Sequence, residues 1–231
     1  MAHDAVVFDA YGTLFDVTAA ARAAAEAPGR AALAAQHETL SRIWREKQIG
    51  YTWWRSITGT YTSFEDVTRE ALAFALEATG LDAEEGLEAA LMALYRTLDA
   101  YPEAADVLDR LRNAGRHVAL LSNGSPEMLS AATQSADLAS RIDTVLSVEE
   151  VGVFKPSSKV YDLVEARTGV APARALFVSS NGWDIAAAAG YGFDTVWVNR
   201  AGLPMDRLPF APARTMADLT TIPDIANGVL P

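Results

Sequence analysis

The sequence predicts an α/β fold, a doubly wound parallel Rossmann-like core of five or more strands carrying an inserted all-helical cap, and three observations carry that expectation. Five short apolar runs rich in branched or aromatic residues recur along the chain, each bounded by polar or glycine positions, as strands buried on both faces should be. Helical segments alternate with the later runs, the pattern of a parallel sheet. Between the first run and the second lies a long stretch with no strand pattern at all.

In chain order, the first strand is Ala5-Val6-Val7-Phe8, which ends in Asp9 and a turn. From Val17 to about Leu98 the sequence is Ala-rich and helical by period, with Leu40, Ile43 and Trp44 and then Leu72, Phe74 and Leu76 on recurring faces. Breaks at Ala27-Pro28-Gly29 and Gly59-Thr60-Tyr61-Thr62-Ser63 divide it into helices. A helix then runs from Tyr101 to Ala114, with Pro102 near its start and Gly115 past its end. Strands follow at Val118–Leu121 and Thr144–Leu146, a helix at Ser157–Thr168 between Pro156 and Gly169, and strands at Ala175–Val178 and Thr195–Val198. The expected division is a core of residues 1–16 and 99–231 with a cap of residues 17–98, seated over the carboxyl edge of the sheet where it would exclude water.

Composition narrows the function. At 231 residues and 50% hydrophobic, the chain can bury a substantial core. A formal net charge of −11, spread through the helices, speaks against nucleic-acid and anionic-membrane partners. With no cysteine, thiolate nucleophiles, disulfides and Cys-ligated metals are excluded by count. The opening residues lack a basic and then apolar leader pattern, and no run reaches the roughly 18 apolar residues of a membrane helix, so a soluble cytoplasmic protein is expected.

Chemistry concentrates where the strands end. Asp9 follows the first, Ser122-Asn123-Gly124-Ser125 the second, Lys155-Pro156 lies beyond the third, and Ser179-Ser180-Asn181-Gly182-Trp183-Asp184 follows the fourth. A lone aspartate in a turn is usually a turn former. Two aspartates and a lysine on one rim of an open α/β sheet are a functional constellation, because such sheets bind ligands at that edge. By contrast, Ser125 precedes Pro126 outside any Gly-x-Ser-x-Gly frame and reads as a helix start. Gly190 and Gly192 lack the third glycine of a dinucleotide loop. His3, His37 and His117 share no spacing and read as surface or strand-end residues.

These segments resemble the haloacid dehalogenase superfamily, and within it the L-2-haloacid dehalogenases. The resemblance spans essentially the whole chain and rests on Phe8-Asp9-Ala10-Tyr11-Gly12-Thr13-Leu14-Phe15-Asp16, Leu121-Ser122-Asn123-Gly124-Ser125-Pro126, Phe154-Lys155-Pro156 and Phe177-Val178-Ser179-Ser180-Asn181-Gly182-Trp183-Asp184. In the cap, Ile43-Trp44-Arg45-Glu46-Lys47-Gln48 with Tyr51-Thr52-Trp53 is also similar. The resemblance implies Asp9 as nucleophile, with Thr13, Arg45, Ser122, Lys155, Tyr161, Ser179, Asn181 and Asp184 as supporting catalytic or orienting groups. It further implies that Ser122 and the amides after Asp9 meet the substrate carboxylate, with Asn123 also among the substrate-binding residues. Arg45 and Asn181, with Phe64, would cradle the halide, and Tyr11, Ile49 and Trp183 would wall the substituent pocket. Glu46 departs from the pattern, standing where these dehalogenases carry Gln, and is expected to tune Arg45 or substrate preference.

The rim suits a halide better than a phosphate. Phosphatases of the superfamily carry a second aspartate two residues after the nucleophile, to protonate a leaving alcohol; here that residue is Tyr11, and a halide leaves without a proton. Serine and asparagine stand where acidic Mg²⁺ ligands would, so no metal and no cofactor are expected. The expected reaction converts short L-2-haloalkanoic acids to D-2-hydroxyalkanoic acids and halide through an aspartyl ester. A related hydrolase acting on a phosphate monoester or a strained-ring amino acid, and a non-catalytic binder of small carboxylates, remain open on the residues alone. Trp53 and Trp54 are expected to pack between cap helices, and the resemblance implies a homodimer.

Overall fold

The structure, a computed structural model, describes residues 2–230. Six parallel strands form its sheet: β1 (Ala5–Phe8), β2 (His117–Ser122), β3 (Thr144–Ser147), β4 (Ala175–Ser179), β5 (Asp194–Val198) and β6 (Arg214–Met216), in the spatial order β3-β2-β1-β4-β5-β6. Every residue of β1 and β4 is buried, and Val7 lies between Ala119 and Phe177 in register, which is why these strands read as unbroken apolar runs. The order reverses between β1 and β4, the point where an open sheet offers a crevice at its carboxyl edge. β6 escaped the sequence pattern for a physical reason. It is a three-residue edge strand that pairs only with β5 and stays partly exposed, so it needs no apolar run.

Between β1 and β2 come the helices of the cap: α1 (Ala19–Ala25), α2 (Ala31–Ala34), α3 (His37–Thr58), α4 (Phe64–Thr79) and α5 (Leu87–Tyr95). Gly59 and Gly80 take left-handed conformations that end α3 and α4, and Ser63 caps α4 by accepting the Asp66 N–H. α3 and α4 pack along one another, and the buried stripe of α3 is Leu40, Trp44, Gln48 and Thr52, spaced four apart. The stripe turns from apolar to polar toward its carboxyl end. The insertion leaves and rejoins the core side by side: Asp16 N–H donates to Asp99 O, and Tyr101 N–H to Leu14 O, each at 2.9 Å.

The core helices are α6 (Ala104–Asn113), α7 (Pro126–Ser135), α8 (Ser158–Thr168), α9 (Gly182–Tyr191) and α10 (Ile222–Ala226). The helix expected from Tyr101 begins only at Ala104, since the residues around Pro102 form a turn first. Ser125 caps α7 by accepting the Met128 N–H, with Pro126 in the first turn. His3 sits just before β1 and bonds Asp194 at 2.9 Å, while His117 opens β2 and His37 opens α3.

Trp53 and Trp54 do not pack between cap helices, contrary to expectation. They follow Thr52, the last buried position of the α3 stripe, by roughly 100° and 200° of helical rotation. Trp54 is 67% exposed, and Trp53 stands edge-on to Trp183 of the core with its ring centroid 5.6 Å away.

Candidate active site

Asp9 extends β1 by one rung, its N–H donating to the Val178 carbonyl of β4 at 2.9 Å. Its buried carboxylate is held by three donors, one from the turn that follows and two from distant segments. Lys155 Nζ donates to Oδ1 at 3.1 Å; Thr13 Oγ1 and Asn181 Nδ2 donate to Oδ2 at 3.0 and 2.9 Å. Thr13 arrives there because the amides of Thr13, Leu14 and Phe15 all donate to the Ala10 carbonyl, closing a tight turn around Gly12. Gly12 has a φ of +91°, and a Cβ on it would lie 2.9 Å from Ser180 Oγ, so both backbone conformation and space call for glycine.

The loop after β4 supplies the other side. Ser179 Oγ accepts the Asn181 N–H at 3.1 Å, and Ser180 N–H donates to Thr13 Oγ1 at 2.8 Å. Ser179 therefore shapes the loop that aims Asn181. Ser122 Oγ accepts the Gly124 N–H at 3.1 Å, and Asn123 Oδ1 accepts the Lys155 N–H at 3.0 Å, fixing the lysine's backbone.

Lys155, 1% exposed, bridges two carboxylates, donating also to Asp184 Oδ2 at 2.9 Å. Tyr161 OH donates to Asp184 Oδ1 at 2.7 Å. Burial pushes the Asp184 carboxyl above its ordinary value; Lys155 opposes this and the Asp9 charge supports it. For Lys155, burial works to lower the ammonium's pKa, but Asp184 and Asp9 outweigh it and hold the group above its ordinary value. Burial, reinforced by Asp184, pushes the Tyr161 phenol far up, so it remains a donor. A charged lysine thus keeps one buried acid beside another.

Arg45 reaches across from the cap. Its Nη1 donates to Gln48 Oε1 at 2.8 Å, and its Nη2 contacts the Tyr11 carbonyl and Asn181 Oδ1, each at 3.2 Å. Glu46 does not contact Arg45, contrary to the expectation of direct tuning. Glu46 is exposed one helical turn from Arg42, with which it pairs at 3.0 Å, because the residue after Arg45 is rotated away from the core. The residue that does hold Arg45 is Gln48, fully buried and also donating to Thr68 Oγ1 at 2.7 Å and Tyr95 OH at 3.1 Å. Its position three residues after Arg45, on the same helix face, was the available signal. Tyr95, stacked on Tyr11 at 5.4 Å, had no local one.

Asp9, Tyr11, Arg45, Ile49, Phe64, Ser122, Asn123, Asn181 and Trp183 come together around one enclosed pocket, joined by Thr52, which lies in the cap motif but carried no expected site role. Its free volume is about 10 Å³, at the threshold for one water. The remaining expected residues, Thr13, Lys155, Tyr161, Ser179 and Asp184, support its floor through the bonds above. Tyr11 packs against Phe64 and Tyr95, and its buried OH has no hydrogen-bond partner. The donor set does not fit Mg²⁺, the metal of the superfamily's phosphatases. Both oxygens of Asp184 and both of Asp9 are engaged by Lys155, Tyr161, Thr13 and Asn181, and among the described residues no three His, Cys, Asp or Glu converge.

The haloacid dehalogenase-like hydrolase family model matches residues 3–192. The (S)-2-haloacid dehalogenase 4A of Burkholderia cepacia is 43% identical over 210 residues, 91% of this chain and 88% of its own. A crystal structure of a dehalogenase with an intermediate complex superposes with a TM-score of 0.91 at 38% identity, over 98% of both chains. The L-2-haloacid dehalogenase from Xanthobacter autotrophicus, solved with chloropropionic acid covalently bound, superposes with a TM-score of 0.87 at 37% identity over the whole of both chains.

Proposed function

The chain belongs to the haloacid dehalogenase-like hydrolases, and from that premise we propose that it hydrolyses short L-2-haloalkanoic acids to D-2-hydroxyalkanoic acids and halide. The observation that carries this reading is the surrounding of Asp9: a buried carboxylate with Lys155, Thr13 and Asn181 on its oxygens, a guanidinium on Asn181, and the aromatic Tyr11 where a proton donor would stand. Asp9 attacks C2 from the face opposite the halogen; its oxygen forms the ester bond as the carbon–halogen electron pair leaves with the halide. Arg45, Asn181 and Phe64 receive the halide, while Ser122, Asn123 and the amides after Asp9 meet the substrate carboxylate. Tyr11, Ile49 and Trp183 wall the substituent.

Water then attacks the Asp9 carbonyl carbon. Asp184 takes its proton and Lys155 steadies the developing oxyanion. As the oxyanion collapses, the bond between the Asp9 carbonyl carbon and the ester oxygen breaks, Asp184 returns its proton to the departing alkoxide and the remaining carboxyl proton passes to solvent. The product oxygen therefore comes from Asp9, and the carboxylate is rebuilt with one oxygen from water. C2 reacts once, which gives inversion. Because the pocket holds at most one water, residues 17–98 act as a cap that swings open to admit substrate. A single turnover in ¹⁸O-water tests the route: label should enter Asp9 and be absent from the first hydroxyacid. Label found directly in that product would refute the ester.

The enzyme is further proposed to work as a homodimer in the cytoplasm. Exposed Trp54 and Ile57 on α3 support pairing, and light scattering checks it. Among the described residues, no helix is long and apolar enough to cross a membrane.

A further inference from the structure

Arg45 and Asn181 have a second face. Behind them lies a chamber of about 220 Å³ lined by these same two residues together with Ser180, Trp197, Arg200 and Leu203, among others. The pocket over Asp9 and this chamber therefore share a wall. Arg45 and Arg200 both line the chamber and no Asp or Glu does, in a chain whose net charge is −11. Arg200 is fixed by Glu103 at 2.7 Å, by the Thr13 carbonyl at 3.3 Å and by the Tyr101 ring at 3.6 Å. Its Nε is buried and has no partner.

We propose that this chamber is a halide exit site: the displaced halide passes from the inner to the outer side of Arg45 and is held there by Arg200 before it reaches solvent. The proposal rests on the dehalogenase reading. The pocket over Asp9 has a free volume of only about 10 Å³ and must widen for substrate, so a halide kept there takes room that the attacking water needs. A halide left inside would also be placed to attack C2 and reverse the first step. Moving it through the shared wall removes both problems without opening the cap. The Arg45 contacts to Tyr11 and Asn181, at 3.2 Å, are longer than its 2.8 Å bond to Gln48, so the guanidinium can exchange them for halide while staying anchored. A paired cation at Arg200 attracts the anion without trapping it.

The test compares the wild type with Arg200→Gln and Arg200→Lys. Halide release by the wild type from L-2-chloropropionate is measured first; none would remove the dehalogenase reading and the exit with it. Given release, Arg200→Gln should raise the inhibition constant for bromide about tenfold, with single-turnover ester formation within about twofold of wild type, and Arg200→Lys should recover most of the loss. Unchanged bromide inhibition, or an equal loss of ester formation, overturns the exit alone. Iodide quenching of Trp197, taken as the difference from Trp197→Phe, reads chamber occupancy without turnover; quenching that persists in Arg200→Gln also overturns it. Should that variant fail to fold, Ala201→Phe fills the chamber from its exposed side. Steady-state turnover should then fall about tenfold below the single-turnover rate of ester formation, and equal rates would refute the route.

Discussion

Tyr161 and Asp184, 23 residues apart in the chain, meet through a 2.7 Å hydrogen bond in which the phenol donates to the carboxylate. That bond favours the charged form of Asp184, against the burial that raises its pKa. Tyr161→Phe removes the donor, so Asp184 should gain its proton at a higher pH. As a base it must be deprotonated. The acid limb of the kcat profile should therefore move upward, with kcat at neutral pH down about tenfold and KM little changed. A limb that stays in place would show that Asp184 is not the base. Lys155, held above its ordinary value, should set no limb in the neutral range.

Lys155→Met tests the bridge itself. The substitution leaves Asp9 and Asp184 buried without their shared cation, which should cost about 3–5 kcal/mol at neutral pH. The loss should shrink as pH falls and Asp184, whose carboxyl burial holds above its ordinary value, takes up its proton. Adding Asp184→Asn should restore more than half of it, measured by denaturant unfolding; a double variant no more stable than Lys155→Met would place the cost elsewhere.

Gln48→Leu keeps the volume but strips Arg45 Nη1 of its acceptor and leaves the Thr68 and Tyr95 hydroxyls short of a partner. Leaving buried polar groups unpaired should lower stability by about 1–3 kcal/mol. It should also lower kcat/KM by more than the fold is weakened, about tenfold or beyond, since the guanidinium loses its anchor. Calorimetry beside halide-release kinetics separates the two effects.

Gly124→Ala would narrow the substituent pocket. A Cβ there falls 2.9 Å from Tyr11 Cε2 and 3.0 Å from Leu129 Cδ2, so the Tyr11 ring must shift. Overpacking of this kind costs about 1–3 kcal/mol. Chloroacetate, with no substituent at C2, should lose less kcat/KM than 2-chlorobutyrate. Equal losses would mean that Tyr11 does not wall the substituent.

Much of the fold and of the site is legible in the sequence. β1 and β4 announced themselves because a strand buried on both faces must be apolar throughout, and the acids at their ends stood out for the same reason. β6 stayed silent because a partly exposed edge strand needs no such pattern. Likewise Arg45 stands in a recognisable motif, yet the residue that anchors it is Gln48 and not the adjacent Glu46. Adjacent residues on a helix point roughly 100° apart, so sequence proximity misleads where rotation decides.

By itself the sequence determined the alternation of strand and helix, the helical insertion over Asp9, and a chemistry without thiols in which Asp9, Lys155 and Asp184 share one edge. These follow from local pattern and composition, which report burial and strand ends directly. Tertiary structure alone decided that Lys155 stands between the two acids, that Arg45 and Asn181 form a wall with a cavity on each side, and that Trp53 meets Trp183 across the cap–core boundary. Those contacts depend on how α3 is rotated and how closely the cap closes on the sheet, and both are set by packing among residues far apart in the chain.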